Sequence, residues 1–171
     1  MVLGIWGWQL LDALGITLEV CHLNEGHAGL TVRERARALM GRNDRDFCEV
    51  LCATRPGILF TTHTSVAAGF DRFAPTLVGQ YLRSNAEALG LSLRELPALG
   101  RIDAEDRAEP FNMAYLALRG SGAVKGRRPH LRAAGSNDPD HLLRPPRQSS
   151  RRPPAMTRRS RAKQGHGRVD R

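Results

Sequence analysis

The chain has 171 residues and a formal net charge of +9. That length suits one domain of ordinary size, and no run approaches the roughly 20 apolar residues of a membrane-spanning helix. Residues 1–14 lack the basic start and small-residue cleavage site of a secretory leader, and three cysteines without a paired framework argue against a disulfide scaffold. Buried, reduced thiols at Cys21, Cys48 and Cys52 and a cytoplasmic location are the resulting expectations.

The apolar residues Ile5, Trp6, Trp8, Leu10, Leu11 and Leu14 fall at helical intervals, and Gly15 stands where a helix stops. Residues 17–23 (TLEVCHL) alternate like a strand, and Asn24 to His27 turn the chain. Val32, Ala36, Leu39 and Met40 give residues 31–40 one apolar side, and residues 47–52 make a shorter helix. After the break at Pro56 and Gly57, residues 58–62 (ILFTT) read as a second buried strand that delivers His63 at its carboxyl end. A helix over 75–89 has proline in its first turn and Gly90 as its stop. Ser92 and Glu95 have capping-box spacing, residues 103–109 form a charged loop, and 111–118 return to helical apolar content. Alternating helix and strand signals at this spacing predict an α/β layer over residues 1–126.

Residues 127–171 are different. They hold 13 Lys/Arg against 3 Asp/Glu, which leaves 13 and 14 in residues 1–126, so the positive charge resides in the tail. The tail has six of the ten prolines, no aromatic residue and few large aliphatics. It cannot offset its ordering entropy and is expected to be disordered. Its arginines, among them Arg151, Arg152, Arg158, Arg159 and Arg161, would attract phosphate, but no aromatic residue is interleaved to stack bases, which argues against a nucleic-acid partner.

Three short motifs carry candidate chemistry. Residues 22–27 (HLNEGH) bring two imidazoles, a carboxylate and an amide together, but the histidines are five apart across a glycine turn, not four apart on a helix, so a metal site is not expected. Their other role would be to satisfy the turn backbone and each other. In residues 60–64 (FTTHT), hydroxyls flank an imidazole at a strand end, a group suited to hydrogen-bonding a polyol, or simply a satisfied core histidine. The GSG at 120–122 has the composition of a phosphate-cradling loop without Walker or dinucleotide spacing.

The stretches VCHLNEGHAGL (20–30), ERARALM (34–40), LFTTHTSVAAGFDRF (59–73), LGLSLRELPALGR (89–101) and EPFNMAYLALRGSGAVKG (109–126) resemble, in order and spacing, bacterial α-glucan phosphorylases. The resemblance implies an incomplete Rossmann-like layer from the N-terminal domain of a two-domain GT-B type glycosyltransferase. It also implies a reaction that moves the terminal α-1,4-linked glucose of glycogen or maltodextrin to inorganic phosphate with pyridoxal phosphate as cofactor, in enzymes that are often homodimers. By the same resemblance, His63 is the histidine that contacts the sugar 6-hydroxyl. Asn24, Glu25 and His27, with Thr64, line the cleft beside it; relatives more often carry aspartate or glutamate at the acidic position.

The departures from the family are at the two ends. Met1 falls in what resembles the middle of the N-terminal domain, so the layer is expected to leave apolar surface uncovered. After GSGAVKG the family continues with a Gly-Val-Ser-Arg-Leu-His-Gly type stretch, whereas here residues 127–131 (RRPHL) begin the tail, which reads as an out-of-frame translation of GC-rich DNA. The cofactor lysine motif has no counterpart, and Lys125 does not match it. The chain is therefore expected to be inactive by itself. A non-catalytic fragment that binds glucan or a partner, and nucleic-acid binding through the tail, are the alternatives.

Overall fold

The computed structural model describes residues 1–41, 45–64 and 70–126; the expected disorder of the basic tail and its proposed out-of-frame origin lie outside the described residues. A π-helical turn over Val2–Trp6 runs into helix α1 (Gly7–Ala13). Gly15, at φ +70°, then reverses the chain, with its N–H bonded to Asp12 and that of Ile16 to Leu11. This is the stop that the sequence predicts, because glycine carries no Cβ penalty in the left-handed region. Strand β1 is Cys21–Asn24, shorter than the expected 17–23. Val20 just before it is exposed, so alternation there found no sheet to pack on.

Helix α2 (Leu30–Met40) and helix α3 (Phe47–Thr54) follow, the latter capped by the Asp46 carboxylate, which accepts from the Glu49 N–H. Strand β2 is Ile58–Thr62, as expected. A two-residue strand β3 (Arg72–Phe73) leads into helix α4 (Pro75–Ala88), which ends on Gly90 at φ +66°. Ser92 and Glu95 cap each other reciprocally, backbone to side chain at 2.8 and 3.2 Å, and start the single-turn helix α5 (Glu95–Ala98). Strand β4 (Phe111–Asn112), helix α6 (Met113–Arg119) and strand β5 (Ala123–Gly126) complete the described residues.

One expectation is corrected and one open motif is assigned. Phe111 and Asn112 pair antiparallel with β3 instead of opening a helix, and the Asn112 side chain caps α6 by accepting from the Ala114 N–H. The glycine-rich 120–126 segment is a packing device and a strand. A Cβ on Gly120 would strike Val32, one on Gly122 would lie 2.6 Å from the Arg55 carbonyl, and the buried Ser121 hydroxyl donates to Ala117. These glycines are needed for close approach of protein to protein, which leaves no cradle for a phosphate.

The main sheet is wholly parallel in the order β1-β2-β5, with Leu23 opposite Phe60 and Phe60 opposite Val124. On that face Leu23 and Phe60 are buried in one apolar core with Val32 and Ala36 of α2, Val50 and Leu51 of α3, and Leu116 and Ala117 of α6. On the other face His22, Asn24, Ala123 and Lys125 are exposed. Parallel sheets are ordinarily covered on both faces; here the flanking strands are exposed on that second face through mostly polar side chains, while Leu59 and Thr61 of the central strand are half-buried and buried, so the apolar surface expected to be uncovered is not on this sheet. Among the cysteines, Cys52 is exposed, contrary to the expectation of buried thiols, while Cys21 and Cys48 are half-buried.

Uncovered apolar surface lies instead on the first two helical segments. Ile5 is buried against the rest of the fold, but Leu3, Trp6, Leu10 and Leu14, at helical spacing, are 58 to 63% exposed. Apolar stripes of this kind drive association. The double variant Trp6→Glu, Leu10→Lys is expected to reduce self-association in sedimentation velocity while leaving the far-ultraviolet circular dichroism unchanged.

Candidate functional site

The polar residues of interest gather where β1 and β2 end. In parallel α/β layers the strands' carboxyl ends face the ligand, because the loops there are free to vary above a rigid sheet. Asn24 closes β1 opposite Thr61 of β2, and the next residue, Glu25, extends the pairing with its N–H on the Thr61 carbonyl at 2.8 Å. The chain then turns through a 3₁₀ helix over Gly26–Ala28. Gly26 and Gly29 let this turn press on the start of α6: a Cβ on either would meet the backbone of Ala114 or Met113 at 3.0 and 2.6 Å.

Glu25 adopts φ 65° and ψ 170°, and it is the only non-glycine residue with positive φ among the described residues. That region of backbone space is essentially reserved for glycine, and holding a side-chain residue there costs on the order of 1–3 kcal/mol. The carboxylate shows what offsets the strain. Oε1 accepts from the backbone N–H of His63 at 2.5 Å and of Thr64 at 3.1 Å. Oε2 accepts from the hydroxyls of Thr62 and Thr64, both at 3.1 Å. Partial burial pushes the Glu25 carboxyl up, but these hydrogen bonds outweigh it and hold the group below the usual glutamate range.

Both carboxylate oxygens are thus occupied by the segment that carries His63. Its imidazole is exposed beyond the end of β2, Thr64 is half-buried, and Asn24 and His27 are exposed on the neighbouring turn. His22 joins the cluster from the open face of the sheet, with Nε2 2.8 Å from the Thr61 hydroxyl. The five residues singled out from sequence therefore share one edge of the sheet. What sequence reasoning missed is that Glu25 turns inward; no local pattern signals a glutamate in a glycine conformation.

Among the described residues no group of three or more His, Cys, Asp or Glu side chains is placed to hold a metal ion, and no helix is long and apolar enough to cross a membrane. The sole lysine among them, Lys125, is exposed on β5 opposite Thr61. A lysine that forms a Schiff base needs a desolvated pocket to lower its pKa, so these residues do not fit pyridoxal phosphate.

Fold and site together define a segment of a parallel α/β protein with a rigidly held polar cluster at its strand ends. No protein-family model matches the chain. It is 41% identical over 104 residues to the glycogen phosphorylase of Mycobacterium tuberculosis, a match that covers 59% of this chain and 12% of that protein. The glycogen phosphorylase of Mycobacterium bovis matches equally. The maltodextrin phosphorylase of Thermococcus litoralis is 39% identical over 124 residues, 72% of this chain and 14% of that protein. The chain is homologous to a segment of the α-glucan phosphorylases, and its match spans 12 to 14% of the length of these relatives.

Proposed function

We propose that this segment forms one wall of the sugar site of an α-glucan phosphorylase, an enzyme that transfers the terminal α-1,4-linked glucose of glycogen or maltodextrin to inorganic phosphate, giving glucose 1-phosphate. In this reading the parallel sheet is part of the N-terminal Rossmann-like domain of a two-domain GT-B glycosyltransferase. His63 hydrogen-bonds the 6-hydroxyl of the reacting glucose, and Asn24, His27 and Thr64 line the same wall. The carrying observation is the exposed imidazole of His63 on a segment whose two amides and two hydroxyls are bound by one carboxylate. The names of the relatives, glycogen and maltodextrin phosphorylase, supply the substrate class.

Chemically the arrangement suits a polyol. A neutral imidazole donates from one ring nitrogen and accepts at the other, so it can satisfy a hydroxyl in either sense. Fixing its backbone beforehand spares ordering entropy on binding. No residue described here fits the cofactor, so the chain by itself is expected to bind glucan without phosphorolysing it.

Titration of the ¹⁵N-labelled chain with maltoheptaose tests the reading. Shifts at Asn24, His27, His63 and Thr64, with affinity weaker by up to about tenfold in His63→Ala, are expected, since a lost hydrogen bond is worth at most about that factor. No shift at millimolar maltoheptaose would refute glucan binding. Release of glucose 1-phosphate from glycogen and phosphate by the purified chain would refute its lack of catalysis.

A further inference from the structure

Resemblance groups Glu25 with the residues lining the sugar site, but the geometry gives it another task. Its carboxylate is not directed at a ligand: each oxygen already accepts two hydrogen bonds from residues 62–64, at 2.5 to 3.1 Å. The pattern is ordered by donor type. One oxygen takes the two backbone amides and the other takes the two hydroxyls. Because the amides belong to His63 and Thr64 themselves, the carboxylate sets the main-chain path just past the end of β2, and with it the direction in which the imidazole leaves the sheet.

We propose that Glu25 is a positioning residue that clamps the backbone of His63 and Thr64 to the end of β1 and contacts no sugar itself. The consequence for binding rests on the reading of His63 given above; the clamp does not. Two further features support the assignment. Glu25 stands in a backbone conformation that glycine would occupy without strain, yet a glutamate is present, so the side chain supplies something that local backbone preference does not. Moreover, the turn cannot drift, since Gly26 and Gly29 lie against α6 and the Glu25 N–H is bonded to Thr61. The clamp is anchored on one side to the sheet and on the other to a helix.

This conformation makes an unusually clean test available, because Glu25→Gly removes the carboxylate while keeping the backbone that the turn requires. Amide hydrogen exchange is measured by NMR on the whole chain, wild type and E25G, alongside the urea midpoint. The urea midpoint of E25G is expected to fall only modestly, because relief of the backbone strain offsets part of the lost hydrogen bonds. His63 and Thr64 amides are expected to exchange at least about tenfold faster, as for loss of hydrogen bonds to a charged acceptor, while Leu23 and Phe60 in the sheet are unchanged.

Unchanged exchange at His63 and Thr64 in E25G overturns the clamp. Should glycine unfold the chain, Glu25→Gln decides instead. Its amide NH₂ replaces one acceptor by a donor facing donors, so faster exchange confined to residues 62–64 supports the proposal, and unaltered exchange there overturns it. Maltoheptaose separates the two ideas. Accelerated exchange in a chain whose wild type binds no maltoheptaose upholds the clamp and refutes the sugar-site reading. Full maltoheptaose affinity in E25G, despite accelerated exchange, refutes the claim that the clamp positions His63 for sugar.

Discussion

Glu34→Gln is expected to lower the unfolding free energy by about 3–5 kcal/mol, the usual cost of removing one partner from a buried ion pair. Glu34 and Arg33 on α2 are both fully buried, with 3.3 Å between Arg33 Nη1 and Glu34 Oε2. The other carboxylate oxygen accepts from Gln9 of α1 at 3.0 Å and from Arg37 at 2.6 Å, and Arg33 reaches the Asn85 carbonyl on α4 at 3.4 Å. One carboxylate therefore joins α1 to α2 and neutralises the charge that ties α2 to α4. Burial pushes the Arg33 guanidinium down from its ordinary value, and Glu34 opposes that. Glutamine would leave the cation uncompensated and turn an N–H toward another donor.

Set against a total of roughly 5–15 kcal/mol for a domain, that loss is severe. Urea denaturation followed by circular dichroism measures it. Two controls discriminate the cause. Arg37 is 39% exposed, so Arg37→Ala is expected to cost under about 1 kcal/mol although its contact is the shorter. Arg33→Met combined with Glu34→Leu removes both charges and is expected to recover most of the stability. A double variant as unstable as Glu34→Gln would show that the charges themselves are required.

Arg119→Met carries the second large effect, about 3 kcal/mol from loss of charged hydrogen bonds and an unpaired buried carbonyl. Arg119, in the last turn of α6, is 5% exposed and donates from Nη1 to the carbonyls of Ala98 at 2.9 Å and Leu99 at 2.6 Å, and from Nη2 to Ile102 at 3.4 Å. The Ala98 and Leu99 carbonyls lie at the end of α5, where a helix leaves acceptors without intrahelical partners, and Ile102 follows in the loop beyond it. Burial pushes the guanidinium down to about 10, with Glu109 and Tyr115 opposing the shift, so it stays charged at neutral pH. With a urea m-value of about 1–3 kcal/mol/M, the midpoint should fall by about 1–3 M. Arg119→Lys keeps the charge but not the fork that reaches several carbonyls, and about half the loss is expected to remain. Full stability in Arg119→Lys would mean that charge alone suffices.

The elements legible in the sequence were those whose signals are local. Gly15 and Gly90 marked helix stops because only glycine takes the left-handed turn cheaply, and both occur at positive φ. Ser92 and Glu95 announced a helix start because their side chains reach only three residues. The apolar run 58–62 became β2 because a strand buried on both faces needs no alternation. Shortening of the first strand was not legible. Residues 17–20 carry the right pattern, but a strand persists only as far as a partner extends, and β2 pairs with Cys21–Asn24 alone.

The sequence by itself determined the α/β class and the kinship with glucan phosphorylases, since short motifs at strand ends and caps are written in consecutive residues; only through that resemblance did it group Asn24, Glu25, His27, His63 and Thr64 as one candidate site. Only the tertiary structure decided what each group faces. It turned Glu25 inward, made packing surfaces of Gly26, Gly29, Gly120 and Gly122, and paired Phe111–Asn112 with a strand about 40 residues earlier. The reason is physical: a side chain's partners are chosen by elements distant in the chain that pack against it, and the sequence records the donor and the acceptor without recording the distance between them.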